Sequence, residues 1–221
     1  MSAAGGPRAP GPDPLLVACA LRIEQAALRS AGRGPGRGPA GGHTLLRTGM
    51  GPSAAERAVG RALGRPGMDR AAVLATGFCA GLVPGMHPGD LVVAEETRDP
   101  HGTVPCTGSA LLAEALARAA PGRTVHTGAL TGSDHVVRGQ ERAQLRAIGA
   151  IAVDMESAAT LWAATRGGDR PVAAVRVIVD APEHELVRIG TVRGGISAFR
   201  VLRAVLPAFH EWHRSLLLPR R

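Results

Sequence analysis

Apolar residues in this chain fall into short runs, separated by amphipathic segments and by Gly- and Pro-rich stretches. Leu15 to Leu21 reads as a buried first strand, followed by a short helix from Arg22 to Ser30. His43 to Thr48 predicts a strand closed by Gly49-Met50-Gly51. A helix from Ser53 to about Leu63 follows, with Ser53 and Glu56 in capping-box spacing. Ala71 to Thr76 and Leu91 to Ala94 read as strands, with a turn at Pro84 to Pro88 between them. Next come a helix from Ser109 to Ala119, a strand from Thr124 to Leu130 and a helix from Gln140 to Ile148. A strand and helix share Ile151 to about Thr165, and Val172 to Val179 is a further strand. The closing helix begins near Thr191, with an apolar stripe at Phe199, Leu202, Leu206 and Phe209, and Pro207 should kink it.

Val-, Ile- and Leu-rich strands alternating with helices predict an α/β fold. The expected architecture is one domain with a mostly parallel (mixed) central sheet and helices on both faces. Residues 1–13, rich in Gly, Pro and Ala, read as a disordered tail, and 14–221 as the domain. Within that domain 32–42 (G-R-G-P-G-R-G-P-A-G-G) reads as a flexible surface connector.

Composition narrows the class. The 221 residues suffice for a sizeable core, and no apolar run approaches the roughly 18 to 20 residues that span a bilayer. No basic leader or cleavage site accompanies Leu15 to Leu21, so a signal peptide is not expected. Cys19, Cys79 and Cys106 are odd in number and lack metal-ligand spacing. They imply a reduced, cytoplasmic protein without disulfides or a metal. The net charge of +8 comes entirely from arginine, scattered along the chain, and aromatics are only 2%. Without basic–aromatic clusters, nucleic-acid binding is not expected. Attraction to an anionic membrane surface stays open. Trp212, Leu216 to Leu218 and Arg220-Arg221 could form a peripheral contact, or the end could be a helix docked on the core with a basic tail.

The chemistry concentrates at strand ends. Ile151-Ala152-Val153-Asp154-Met155-Glu156-Ser157-Ala158-Ala159 is a strand ending in two acids at the start of an alanine-rich helix. Unpaired carboxylates are costly to bury, and ligands of α/β proteins sit at the carboxyl ends of strands. Acids near a helix N-terminus are also favourable without any ligand. Asp180 ends the run from Val172 and precedes Ala181-Pro182, and Glu24 follows the first strand. On a regular strand Arg176 and Asp180 share a face about 13 Å apart. Arg176 is therefore expected to pair with Glu24 or Glu156 rather than with Asp180.

V-D-M-E-S-A-A resembles the ribose-binding signature of the purine nucleoside phosphorylase and nucleosidase superfamily. Thr48-Gly49-Met50-Gly51 resembles that family's early G-x-G turn. Thr76-Gly77-Phe78-Cys79-Ala80-Gly81-Leu82 with Gly89-Asp90-Leu91-Val92-Val93 resembles its T-G-S-A-G-G-L…G-D-(I/V)-V-V, and Val175-Arg176-Val177-Ile178-Val179-Asp180 its V-R-x-x-S-D. The resemblance implies that Asp180 protonates adenine at N7, Glu24 activates water, Arg176 helps hold that water and its carboxylate, and Glu156 and Met155 hold the ribose. Gly49, Gly77 and Phe78 would lie against the substrate.

Phosphorylases of this superfamily carry an R-x-G-(S/T) element, where this chain has Ala75, Gly77 and Phe78. Phosphate binding usually enlists a cation, so water is favoured as nucleophile. The short, polar segment from Glu95 to Gly108 resembles a reduced lid that leaves the 5′ side open, as in the hopanoid-associated subfamily. The implied activity is hydrolysis of an adenine nucleoside, with adenosylhopane the leading substrate. The alternatives are a phosphorylase, a methylthioadenosine- or futalosine-type nucleosidase, or a non-catalytic nucleoside- or lipid-binding protein. No cofactor is implied. The expected partners are a purine nucleoside, lipid-linked where its 5′ group is a hopanoid, and a second copy in a homodimer. His135 falls near the family's purine platform, with the base contact unassigned.

Overall fold

A computed structural model of the protein describes residues 13–31, 42–182 and 191–217, with backbone only for 191–196. The 1–12 part of the expected tail and most of the expected connector lie outside the described residues.

The chain order is β1 (Leu15–Cys19), α1 (Arg22–Ala31), β2 (His43–Arg47), α2 (Pro52–Leu63), β3 (Ala72–Gly81), β4 (Leu91–Asp99) and β5 (Gly102–Pro105). It continues with α3 (Ser109–Ala119), β6 (Val125–Gly132), α4 (Gln140–Ala147), β7 (Ala150–Asp154), α5 (Ser157–Thr165), β8 (Val172–Asp180), α6 (Thr191–Ala204) and α7 (Leu206–Leu216).

The sheet is mixed, and part of it closes on itself. β1 runs parallel to β2 and β3. β3 pairs with β8 in parallel, β8 with β4 antiparallel, β4 with β6 and β6 with β7 in parallel, and β7 returns antiparallel to β3. Register shifts at Cys79/Ala80, Ala94/Glu96 and Ala129/Leu130 mark where strands bend, as ring closure requires. One side buries Leu15, Leu74, Val175, Leu202 and Phe209 under α1, α3, α6 and α7. The other buries Leu16, Val73, Ala174 and Leu161 under α2 and α5. Alternation along β1, β3 and β8 feeds both cores, so these strands are apolar throughout.

Four expectations need correction. β4 continues as far as Asp99 and forms an antiparallel hairpin with β5, so Glu95 to Gly108 is largely ordered strand. Helix α2 starts at Pro52 behind Gly51, with no side-chain cap, so Ser53 sits inside it. Glu56 instead pairs with Arg166 at 2.7 Å. Pro207 does not kink one helix but begins a second, because it sits in the first turn of α7, where its missing N–H costs nothing. Trp212 is buried and donates Nε1–H to Thr107 O at 2.8 Å, so it is no membrane anchor. Leu217 is exposed, and 218–221 lie outside the described residues. No described helix is long and apolar enough to cross a membrane.

Candidate active site

Three loops meet where β1, β7 and β8 end. Thr48 N–H donates to Cys19 O at 2.8 Å, which sets the Gly49–Gly51 turn beside the start of α1. Both glycines have φ of 86°, a left-handed region that disfavours a side chain. Of the two, Gly51 makes the functional contact: its N–H donates to Glu156 Oε1 at 2.9 Å.

Glu24 is the third residue of α1 and is nearly fully buried. Its Oε2 accepts from Ala20 N (2.9 Å) and Leu21 N (2.8 Å), and its Oε1 from Phe78 N (2.9 Å). It therefore ties down the turn that leads into α1, as the acid of a capping box does, and still lines the pocket. Burial pushes its carboxyl above the ordinary value, opposed by Arg176 and by these backbone donors. Gly77 makes this approach possible. A Cβ there would fall on the Glu24 carboxylate and within 2.6 Å of Arg176 Nη1.

Arg176 lies beneath the pocket floor and is fully buried. It pairs with Asp154 rather than with Glu24 or Glu156: Nε lies 2.5 Å from Asp154 Oδ2. Arg176 also donates to Ser157 Oγ at 2.8 Å and to Thr76 O at 3.1 Å. Asp154 in turn accepts from Ser157 N at the start of α5. Of the two acids in V-D-M-E, Asp154 is thus turned inward as an anchor, and Glu156 faces the pocket. Burial opposes the charge of Arg176, but Asp154, Glu156 and Glu24 together raise its pKa.

Asp180 ends β8 just after the register shift, where Cys79 pairs with Ile178 and Ala80 with Asp180. That irregularity breaks the alternation expected of a regular strand between Arg176 and Asp180. Asp180 Oδ2 lies 2.5 Å from Arg142 Nη2, while Oδ1 is buried with no partner among the described residues. Sequence reasoning missed both Asp154 and Arg142. The signal for Arg142 was its position three residues before Leu145, on the inward face of α4.

Glu24, Met155, Glu156, Phe78 and Asp180 all line one pocket of about 310 Å³, with Met50, Val136 and Arg142. A neighbouring hollow of about 400 Å³, bounded by Pro52, His101 and Trp162, shares Met155 and His135 with it. The larger hollow holds none of the three predicted acids, so the candidate chemistry lies in the smaller. His135 is exposed and held between Asp134 (2.7 Å) and Glu141 (3.0 Å).

In and beneath this pocket four carboxylates (Glu24, Asp154, Glu156, Asp180) face two guanidiniums (Arg142, Arg176). When all are ionised, negative charge is in excess by two. Such a field favours a developing cation and opposes an entering anion. Both guanidiniums are already committed to carboxylates.

Glu156 is also pushed above its ordinary value, chiefly by burial, with Arg176 opposing and Asp154 adding. A carboxyl raised in the folded state stabilises the fold below its unfolded value, and that contribution is lost as pH rises through the folded value. Glu156→Gln is therefore expected to raise Tm at pH 7 to 8 and to change it little near pH 4. Thermal melts across that range check this, and a Tm lowered at pH 7 would contradict it.

Among curated proteins, no sequence matches this chain. Solved structures do match. The 5′-methylthioadenosine/S-adenosylhomocysteine nucleosidase of Neisseria meningitidis, in complex with methylthio-immucillin-A, is 22% identical with a TM-score of 0.72, covering 89% of this chain and 98% of that one. The S-adenosylhomocysteine nucleosidase of Streptococcus pyogenes, in complex with 5-methylthiotubericidin, is 20% identical with a TM-score of 0.74, covering 91% and 98%. A futalosine hydrolase mutant of Helicobacter pylori is 17% identical with a TM-score of 0.68, covering 88% and 98%. At these identities the likeness speaks for the fold. The family model described as Phosphorylase superfamily matches residues 38–207, most of the chain, and the protein belongs to that superfamily.

Proposed function

We propose that this pocket hydrolyses the N-glycosidic bond of an adenine nucleoside. The observation that carries the reading is the convergence of Glu24, Glu156 and Asp180 on one pocket. In the proposed reaction Asp180, which lines the pocket, delivers a proton to N7. The C1′–N9 electron pair leaves with the purine, and the ribose becomes an oxocarbenium-like cation. Glu156 holds the sugar hydroxyls and Met155 packs against the ring. Glu24 orients a water that adds its oxygen to C1′ and takes up the released proton. Arg176 holds the floor on which Glu24 and Glu156 rest.

Water is preferred to phosphate because, even with Asp180 holding its proton, ionised carboxylates outnumber the guanidiniums by one and repel an anion, and no described guanidinium of the site is uncommitted. The named nucleosidase neighbours support the same reading. For the 5′ group we favour an apolar substituent, with adenosylhopane as the leading substrate. Met50 and Val136 line the pocket yet are 65% and 62% exposed, an apolar rim that a greasy group would cover. A lipid-linked substrate would bring the protein to a membrane surface, which the net charge of +8 favours. The sequence resemblance further supports a cytoplasmic homodimer.

Incubation with adenosylhopane, methylthioadenosine, futalosine or inosine in phosphate-free buffer tests the reading. Free adenine should appear from adenosylhopane and methylthioadenosine, faster from the apolar adenosylhopane, while the hypoxanthine nucleosides futalosine and inosine should release little free base. Strict dependence on added phosphate, or binding without turnover, would overturn it.

A further inference from the structure

Arg142 is the sole buried residue of α4, among exposed or half-exposed neighbours such as Glu141, Gln144 and Arg146. Burying a guanidinium is costly unless a partner and a geometry hold it. Here the principal partner is Asp180: Nη2 takes Oδ2 at 2.5 Å, while Nε reaches Val137 O only at 3.4 Å. We propose that Arg142 is a positioning residue for purine cleavage, clamping one carboxylate oxygen and so fixing the plane in which Asp180 meets the base. The inference rests on the nucleosidase reading above and adds to it a group outside the motifs.

Asp180 is the last residue of β8 and follows a register shift, so strand pairing alone holds it loosely in direction. A carboxylate free to rotate would offer either oxygen at variable angles. With Oδ2 fixed, the carboxylate plane is fixed, and Oδ1 keeps one direction. Proton transfer depends steeply on such placement: an error of about 1 Å can cost about 10²-fold in rate. The same helix also anchors the pocket wall, because Glu141 Oε2 accepts from His135 Nε2–H at 3.0 Å, beside Val136. α4 thus sets the acid and the wall together.

A merely structural salt bridge would tie α4 to β8 and affect every reaction alike. The two roles separate by leaving group. Adenine needs protonation to depart, whereas p-nitrophenolate leaves p-nitrophenyl β-D-ribofuranoside without it. Arg142→Gln and Arg142→Lys are assayed on adenosine and on that phenyl riboside, with kcat and KM for each. Arg142→Gln should lose about 10²-fold in kcat on adenosine and keep its rate on the phenyl riboside within a few-fold. Arg142→Lys, which retains a donor but not the planar guanidinium, should lose part of the adenosine rate, less than Arg142→Gln does. If Arg142→Gln fails to fold, Arg142→Lys decides: a loss confined to adenosine supports the clamp. Equal losses on both substrates, or no loss on either, overturn it while leaving the nucleosidase reading intact. A wild-type protein that cleaves neither substrate overturns that reading, and the clamp with it.

Discussion

Asp180→Asn is expected to lower kcat for adenine release by about 10²- to 10⁴-fold, the range that a positioned general acid supplies. The substitution keeps the size of the side chain and an oxygen for Arg142, so the fold should persist. What it removes is the transferable proton of the carboxyl that lines the pocket beside Arg142. The loss should fall on kcat with little change in KM, because the ribose contacts of Glu156 and Met155 are untouched. Steady-state kinetics with a circular dichroism control checks this. A variant that keeps its rate within about three-fold would remove Asp180 from the mechanism; general acid catalysis does not yield so little.

Arg176→Met is expected to give the largest loss of stability. Breaking a buried ion pair by removing one partner costs about 3–5 kcal/mol. Here the loss leaves Asp154 buried, with Glu24 and Glu156 in the same field. In a chain of this size that corresponds to a Tm lower by on the order of 10 °C. The deficit should also shrink as pH falls. Glu24 and Glu156 already sit above their ordinary values, and losing the cation raises them further. The folded variant then binds protons that its unfolded chain does not, so acid stabilises it. Melts of both proteins between pH 4.5 and 8 test this, and a pH-independent gap would show that the carboxylates are not coupled to Arg176.

Much of the architecture was legible because its elements are locally punctuated. β1, β8 and α3 stand where apolar runs end at Gly, Pro or Ser, and the match at Ser109–Ala119 is complete. The hairpin of β4 and β5 was not legible. Glu95-Glu96-Thr97-Arg98-Asp99 is polar because that end of β4 pairs with an edge strand and is partly exposed, which reads as loop. The candidate acids were legible for a related reason: charges that end apolar strands stand out against their surroundings. Their partners were not. Arg142 lies 38 residues before Asp180, and Arg176 lies 22 beyond Asp154. Those pairings depend on ring closure through β3, β7 and β8, a tertiary fact that no local pattern encodes. The register shift before Asp180 is equally silent in sequence.

The most direct test follows the oxygen. Adenosine incubated with the protein in phosphate-free, ¹⁸O-enriched water should yield adenine and a sugar labelled once at C1, with no ribose 1-phosphate. Intact adenosine after prolonged incubation, or cleavage that waits for phosphate and gives unlabelled ribose 1-phosphate, would contradict a pocket of three acids built to add water.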